Sequence, residues 1–305
     1  MSKYRSPLSA EQLRLLSCRN SKRGWFSALT HFGLLLTTGV CVHVLIQAHW
    51  MSLAFLMLLA HGMIYTFLGY AGMGHELVHA TVFESKRANN ALFALVSFLT
   101  WNNPVYFRAS HRVHHRHTLQ EGVDYEVGTQ GLKLNWRHLI QCVFDVWAFK
   151  RALVILLNNA CNRAPGPFAE QAFPPASAER RRLVWAARWI LAGHCAIALA
   201  AVLRQAWVLV VLITLAPFIC TPPNRILAAL QHGGMQSNTT DYRQSTRTVM
   251  IPKALAFLYW NMNYHIEHHM FPSVPYFNLP QLQALLAEDL PEPVRGVPSI
   301  VRILT

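Results

Sequence analysis

The feature that most constrains the fold is a set of apolar runs long enough to span a membrane. Residues 25–47 carry no formal charge, and about 20 apolar residues suffice to cross a bilayer as a helix. Residues 183–203 form a second long run, which follows three consecutive arginines. Two further apolar runs, residues 52–72 and 206–221, each follow one of these runs after a short connection. We therefore predict four transmembrane helices arranged as two hairpins.

The composition agrees with a membrane protein. Of the 305 residues, 53% are hydrophobic and only 13% are charged, whereas an average soluble domain carries roughly 25% charged residues. The net charge is +13, and 25 of the 27 lysines and arginines lie before the first span, between the second and third, or after the fourth. A basic excess is typical of cytoplasmic segments. Because topology accounts for the basic charge, we expect no nucleic-acid partner.

This topology places residues 1–24, 73–182 and 224–305 in the cytosol, together with both termini. We interpret residues 1–305 as a single domain. Its predicted fold class is an all-α, multi-pass integral membrane protein with four transmembrane helices and a cytosolic helical cap.

Two expectations concern helix continuity. The second spanning helix is expected to continue beyond residue 72 into the following segment, GHELVHATVF. Residues 138–160 place apolar side chains at three-to-four spacing but also contain Asp145, Lys150 and Arg151. This pattern predicts one amphipathic helix lying on the membrane surface.

Eight histidines occur in three short clusters of the predicted cytosolic segments. The clusters are His75 and His79; His111, His114 and His115; and His265, His268 and His269. Spacings of three and four residues stack side chains on one helical face. Buried imidazoles need polar partners, so converging clusters favour a transition-metal site over ordinary core packing. Eight nitrogens exceed the four ligands of a tetrahedral ion, which indicates two metal ions.

Residues 75–79 also match H-E-x-x-H, the helix motif of zinc proteases, in which Glu76 would be the general base. A membrane zinc metalloprotease is therefore an alternative, although it would need only one further ligand. The two other clusters would then have no role. A metal-binding membrane scaffold without catalysis is a third hypothesis.

The three clusters, in this order, resemble the histidine boxes of the membrane fatty-acid desaturase superfamily, which includes related hydroxylases and carotenoid ketolases. The similarity extends to Asn261, four residues before the third box, and to F-P-x-x-P-x-x-x-L-P at residues 271–280. The resemblance implies a four-helix membrane stem and a cytosolic cap that carries a histidine-rich, non-haem di-iron site. Two iron ions would be the cofactors and O2 the co-substrate.

The resemblance also implies a ninth ligand. His232 resembles the additional histidine that desaturases place between the second and third boxes, although this chain has Ala228 where some members have an asparagine. Metal-bound histidines commonly donate their second ring N–H to a nearby acceptor. The residues expected to orient the ligands in this way are Asp124, Glu126, Asp241, Asn261 and Glu267. We predict no catalytic residue beyond the di-iron centre.

The predicted function is O2-dependent desaturation of a fatty-acyl chain that enters from the surrounding membrane lipids. Hydroxylation, decarboxylation, or desaturation of another lipophilic or amino-acid-like metabolite are alternatives on the same scaffold. The third box begins with His265, where front-end desaturases with fused cytochrome domains typically have Gln, and the chain lacks an H-P-G-G haem motif. We therefore expect a separate electron donor of ferredoxin or cytochrome type.

Overall fold

The computed structural model describes residues 3–127, 136–296, 299, 300 and 303. Within these residues the regular structure is helical, with isolated β-bridges and no strand. The α-helices are α1 (Ala10–Leu16), α2 (Ser21–Gln47), α3 (Met51–Thr66), α4 (Met73–Val78), α5 (Lys86–Leu99), α6 (Pro104–Arg116), α7 (Trp136–Gln141), α8 (Val146–Ala160), α9 (Pro167–Ala172), α10 (Ala178–Leu203), α11 (Pro222–His232), α12 (Tyr242–Ser245), α13 (Lys253–Leu258), α14 (His265–Met270) and α15 (Leu279–Leu285). The predicted all-α fold class is thus confirmed for the described residues.

Two of the described helices are long and apolar enough to cross a bilayer. They are α2, with 27 residues, and α10, with 26 residues, and they coincide with the first and third predicted spans. Helix α3 is also apolar but has only 16 residues, and it packs against α2. Large apolar side chains on these helices point outward: Leu36 is 70% exposed and Leu203 is 73% exposed. An exposed apolar belt of this kind is suited to lipid or to a protein partner and is unfavourable in water.

The helix of the second predicted span ends earlier than expected. Helix α3 ends at Thr66, and the chain turns through residues 67–72 before α4 begins. At Gly72 the backbone approaches Phe67 so closely that a Cβ would lie 2.1 Å from the carbonyl oxygen of Phe67. The expectation of one continuous helix is therefore wrong, because this backbone approach turns the chain before the first histidine cluster.

The fourth predicted span, residues 206–221, is not a regular α-helix. It contains a π-helix, Val210–Leu215, followed by a 3-10 helix, Ala216–Phe218. Pro217 lacks an N–H and cannot donate to the preceding turn. Three side chains donate to carbonyl oxygens of this segment: His61 to Leu212 (2.9 Å), Tyr65 to Ile213 (3.0 Å) and Trp101 to Thr214 (2.9 Å). Side chains from elsewhere in the fold thus satisfy backbone acceptors of this irregular segment.

The amphipathic segment 138–160 forms two helices instead of the single helix expected. Helices α7 and α8 are separated at residues 142–145, and the Asp145 side chain caps α8 by accepting from the Ala148 N–H at 2.8 Å. Asp145 also forms an ion pair with Arg225 on α11. The cap and the ion pair fix the start of α8. The spacing of apolar residues over the whole segment does not reveal this helix start.

The main hydrophobic core connects α3 with the helices that carry the histidines. Phe67, Leu77, Tyr259 and Trp260 are fully or almost fully buried in it. The Phe67 and Tyr259 rings meet edge to face, with centroids 5.7 Å apart. This contact joins the end of α3 to the chain segment that leads into α14, so the core sets the distance between the first and third histidine clusters.

The packing of α3 gives a test of the fold. A Cβ at Gly62 would lie 2.5 Å from the carbonyl oxygen of Ile219, whereas a Cβ at Gly33 on α2 has no neighbour within 4 Å. We expect Gly62→Ala to lower the free energy of unfolding by about 1–3 kcal/mol through overpacking. Gly33→Ala should leave it unchanged or raise it by about 0.5–1 kcal/mol. Unfolding in detergent measures both, and equal stability of the two variants would contradict this packing.

Candidate metal centre

Four short elements carry nine histidines into one buried region. Helix α4 contains His75, and His79 immediately follows it. Helix α6 begins at Pro104 because the Asn103 side chain accepts from the Val105 N–H at 3.1 Å, which caps the helix that carries the second cluster. Helix α11 ends at His232, and α14 carries the third cluster. All nine imidazoles except that of His79, which is partly exposed, are buried.

The structure divides these nine histidines into two groups. Within each group one candidate ligand atom per residue lies within 4.8 Å of all the others. The first group is His75, His79, His111, His115 and His268, and the second is His114, His232, His265 and His269. All nine histidines predicted as metal ligands are therefore brought together, and they form two adjacent sets of nitrogen donors.

The two H-x-x-H-H boxes each contribute histidines to both groups, but the group that receives two histidines from one box receives one from the other. Helix α6 gives its i, i+4 pair, His111 and His115, to the first group and the intervening His114 to the second. Helix α14 gives its i, i+4 pair to the second group and His268 to the first. Each helix therefore lies against both groups, since residues three and four apart share one helical face.

Hydrogen bonds determine which ring nitrogen carries the proton. Nδ1 of His75 lies 3.0 Å from the Tyr70 carbonyl oxygen, and Nδ1 of His232 lies 2.9 Å from the Ser245 carbonyl oxygen. A carbonyl only accepts, so Nδ1 donates and Nε2 of each neutral ring keeps a lone pair. This is the arrangement found in metal-bound histidines, which donate their second N–H to an oxygen acceptor.

The Nε2 atoms of different histidines converge closely. Five Nε2–Nε2 distances are short: His75–His268 (2.9 Å), His79–His111 (3.0 Å), His111–His115 (3.0 Å), His232–His265 (3.0 Å) and His265–His269 (3.1 Å). Nδ1 of His115, of His265 and of His268 has no hydrogen-bond partner among the described residues. Neutral imidazole is a common ligand of iron, zinc and copper, so this donor set fits transition-metal ions.

Two of the predicted orienting residues contact histidines. Asp124 Oδ2 accepts from His114 Nδ1 at 2.8 Å, and Glu126 Oε1 lies 2.8 Å from His111 Nδ1. Asp124 is itself held by the N–H groups of Leu119 (2.9 Å) and Glu126 (3.0 Å). The loop after α6 thus supplies one carboxyl group to each histidine group.

The other three predicted orienting residues do not hydrogen-bond to the histidines. Their partners are Arg243 for Asp241 (2.7 Å), the Tyr276 carbonyl oxygen for Asn261 (3.0 Å), and the Thr248 hydroxyl for Glu267 (2.5 Å). Arg243 is only two residues from Asp241 and pairs with it locally. Glu267 lies between two histidines of α14 in sequence and therefore projects from a different face of the helix. The expectation for these three residues is corrected accordingly.

Several contacts to the histidines were not predicted from the sequence. Thr118 Oγ1 lies 3.2 Å from His269 Nδ1, and the Tyr242 hydroxyl and the Lys3 amine both donate to the His115 carbonyl oxygen, at 2.7 and 3.2 Å. Thr118 follows His114 by four residues, and this spacing was a usable signal. The backbone carbonyl acceptors of Tyr70 and Ser245 cannot be predicted from a sequence motif, because every residue has a carbonyl group.

Burial lowers the pKa of eight of the nine imidazoles, and their mutual repulsion when charged lowers these pKa values further. The eight are His75, His79, His111, His115, His232, His265, His268 and His269. For His79 and His232 the pKa falls to about 3. Neutral imidazole is the form that binds metal.

His114 is the exception. Burial alone would lower its pKa, but the hydrogen bond that His114 donates to Asp124 and the negative charges of Glu126 and Asp124 outweigh burial and raise it. The pKa of Asp124 is correspondingly lowered, because its bonds to His114 and to backbone N–H groups overcome the cost of burial. Burial raises the pKa of Glu126 to about 7. The ionised carboxylate of Asp124 therefore stabilises the protonated form of one histidine in the second group.

A cavity of about 830 Å³ adjoins both groups. His75 of the first group and His114, His232 and His265 of the second line it. Ala228 also lines it, so no amide side chain occupies that position beside His232. A cavity of this size falls within the range typical of small-molecule sites.

Glu76 does not have the environment of a protease base. Its side chain is buried, and Oε1 accepts from the Thr81 hydroxyl at 2.7 Å and from the Tyr276 N–H at 3.1 Å. It is not among the residues that line the cavity. A general base must reach the substrate or a water molecule, so the geometry disfavours the zinc-protease alternative.

Residues 48–299 match the family model described as fatty acid desaturase. Because the match covers most of the chain, the protein belongs to the fatty acid desaturase family. Members are in general membrane-bound di-iron oxidoreductases that act on lipids and receive electrons from a donor. None of the curated proteins that were compared matches the chain.

The contact between Asp124 and His114 can be tested by substitution. We expect Asp124→Ala to weaken metal affinity about 10–100-fold, because His114 loses the acceptor that orients its ring. Asp241→Ala is the matched control, since Asp241 bonds to Arg243 and to no histidine. Titration of metal-stripped protein with ferrous iron against a coloured chelator measures both affinities. An equal loss in the two variants would contradict a specific role for Asp124.

Proposed function

We propose that this protein is an O2-dependent, di-iron membrane oxidoreductase that desaturates a fatty-acyl chain. The observation that carries the proposal is the division of nine histidines into two adjacent nitrogen-donor groups beside one large cavity. Two groups fit two ions, and a cavity that reaches both groups gives a substrate access to them. Family membership supports an oxidoreductase of desaturase or hydroxylase type.

The proposed ligands are the five histidines of the first group and the four of the second. Two iron ions held there would activate O2 for removal of hydrogen from an unactivated C–H bond. Asp124 and the carbonyls of Tyr70 and Ser245 keep the proton of a ligand ring on Nδ1, which leaves its Nε2 free for metal. Burial of the histidines keeps bulk water away from the reacting centre.

We further propose the four-span topology, with both termini and the metal centre on the cytoplasmic side. The Lys3 amine donates to the carbonyl oxygen of His115, so the N-terminal segment lies beside the histidines. Near the other end, the Val294 N–H donates to the Thr248 carbonyl oxygen at 2.9 Å, and Thr248 contacts Glu267 of α14. These contacts support a single cap formed by both ends of the chain, with electrons supplied there by a separate ferredoxin- or cytochrome-type donor.

The first test is the metal content of detergent-purified protein that carries no chelating tag. We expect about two iron atoms per chain, one for each histidine group, and a clear loss of iron in His268→Ala. The matched control is His117→Ala, because His117 pairs with Gln120 at 2.7 Å and belongs to neither group.

A single zinc ion that depends on His75 and His79 but survives His268→Ala would refute the di-iron proposal. That result would favour the zinc-protease alternative instead. Two zinc ions that depend on all three boxes would support the two-group geometry and direct the next preparation to iron-supplemented growth.

Mass spectrometry of the product separates desaturation from its closest alternatives. We expect acyl chains from cells that make the protein to lose two hydrogen atoms relative to cells that make His268→Ala. Gain of one oxygen atom would instead assign a hydroxylase, and loss of the carboxyl carbon a decarboxylase. Each of these results would keep the metal centre and replace the proposed reaction.

A further inference from the structure

The cavity beside the histidines has an uneven charge distribution. Among the described residues, three formally charged ones line it: Glu126, Arg151 and Arg225. Glu126 lies beside the histidines, where its carboxyl group is hydrogen-bonded to His111 (2.8 Å) and accepts from the Ser110 hydroxyl (3.2 Å). The two arginines enter from other helices, so the part of the lining contributed by α8 and α11 carries positive charge.

Arg151 is unpaired within the described part of the chain. Its guanidinium has no hydrogen-bond or ion-pair partner there, and its side chain is exposed. It lies on the face of α8 that lines the cavity, together with Ala148, Ala152, Ile155 and Leu156. The cation thus lies within an otherwise apolar wall, between Ala148 and Ala152 in sequence, so one helix offers a ligand both a charged and an apolar contact.

Arg225 lines the cavity from α11. Its Nε donates to Thr221 at 3.1 Å, and one terminal nitrogen pairs with Asp145. Because Asp145 also caps α8, this ion pair ties the first turn of α11 to the start of the helix that carries Arg151. Arg225 precedes His232 by seven residues on α11, which corresponds to about 10 Å along the helix axis. The cationic part of the lining is therefore close to the metal centre without belonging to it.

We infer that the cavity binds an acyl chain with an anionic head group, which pairs with Arg151 and lies next to Arg225. A carboxylate or a phosphate satisfies this chemistry, since the planar guanidinium matches both. The chain of the ligand lies against the apolar wall of α8 and against Trp101 and Phe218, which also line the cavity. This inference rests on the proposed function for the identity of the chain as substrate, but its test measures binding and needs no turnover.

The test is displacement of radiolabelled palmitic acid from the purified full-length protein in neutral detergent. Palmitic acid should compete better than methyl palmitate, which has the same chain and no charge. We expect Arg151→Gln to weaken competition by palmitic acid about 1.5-fold to fivefold, the range for an exposed ion pair. Competition by methyl palmitate should not change, and Arg151→Lys should retain most of the preference for the acid.

Lys150→Gln is the matched control. It removes one positive charge from the neighbouring position of α8, where Lys150 is exposed, lies over the Trp147 ring and does not line the cavity. Equal effects of Lys150→Gln and Arg151→Gln would overturn the inference, because they would show a general charge effect. Equal competition by the acid and its methyl ester in the unmodified protein would also overturn it.

Dipalmitoyl phosphatidic acid distinguishes the two sources of the anionic group. Stronger displacement by phosphatidic acid than by palmitic acid, lost in Arg151→Gln, assigns a lipid phosphate; the reverse order assigns a free carboxylate. Selective binding of the charged ligand without any oxidised product would refute the proposed reaction but not this site. Oxidised product with no preference for a charged head group would refute the site alone.

Discussion

The packing of nine imidazole rings, eight of them buried, into two adjacent groups is the constraint on which the rest of the structure depends. A buried polar atom without a partner costs about 1–3 kcal/mol, and Nδ1 of His115, His265 and His268 has no partner among the described residues. In addition, Nε2 atoms of different rings face one another at 2.9–3.1 Å. The facing Nε2 atoms would coordinate bound cations, so metal binding at the proposed site would also stabilise the fold around the histidines.

Two of the four elements that carry the histidines are too short to form stable helices alone. Helices α4 and α14 have six residues each, and isolated helices shorter than about 12 residues are marginal in water. Tertiary contacts hold them instead. The backbone approach at Gly72 places α4 after α3, and the Phe67–Tyr259 contact fixes the segment before α14. The position of the histidines is thus a property of the core as much as of the box motifs.

This dependence explains which features could be predicted from the sequence. The box spacings give the helical faces of the histidines, and Asn103 with Pro104 marks the start of α6, because both signals are local. The opposite use of the two H-x-x-H-H boxes is not local, since it depends on how α6 and α14 cross. No pattern within the sequence reports that crossing.

The incorrect expectation for Asp241 also arises because its partner depends on the local surroundings and not on its distance from a box. Asp124 and Asp241 are both acids near a box, and only their neighbours separate them. Asp124 lies in the loop directly after α6 and accepts from His114, whereas Asp241 has an arginine two residues away that pairs with it first. Proximity in sequence cannot decide between a histidine and an arginine as partner.

The irregular segment Val210–Leu215 is connected to the cavity through a side chain. Trp101 donates to the Thr214 carbonyl oxygen and also lines the cavity, as do Pro217 and Phe218 of the 3-10 helix that follows the segment. Side chains satisfy carbonyl acceptors of Val210–Leu215, and that of Trp101 is one of them. Because Trp101 also lines the cavity, its hydrogen bond to the irregular segment fixes the position of one wall residue beside the proposed metal centre.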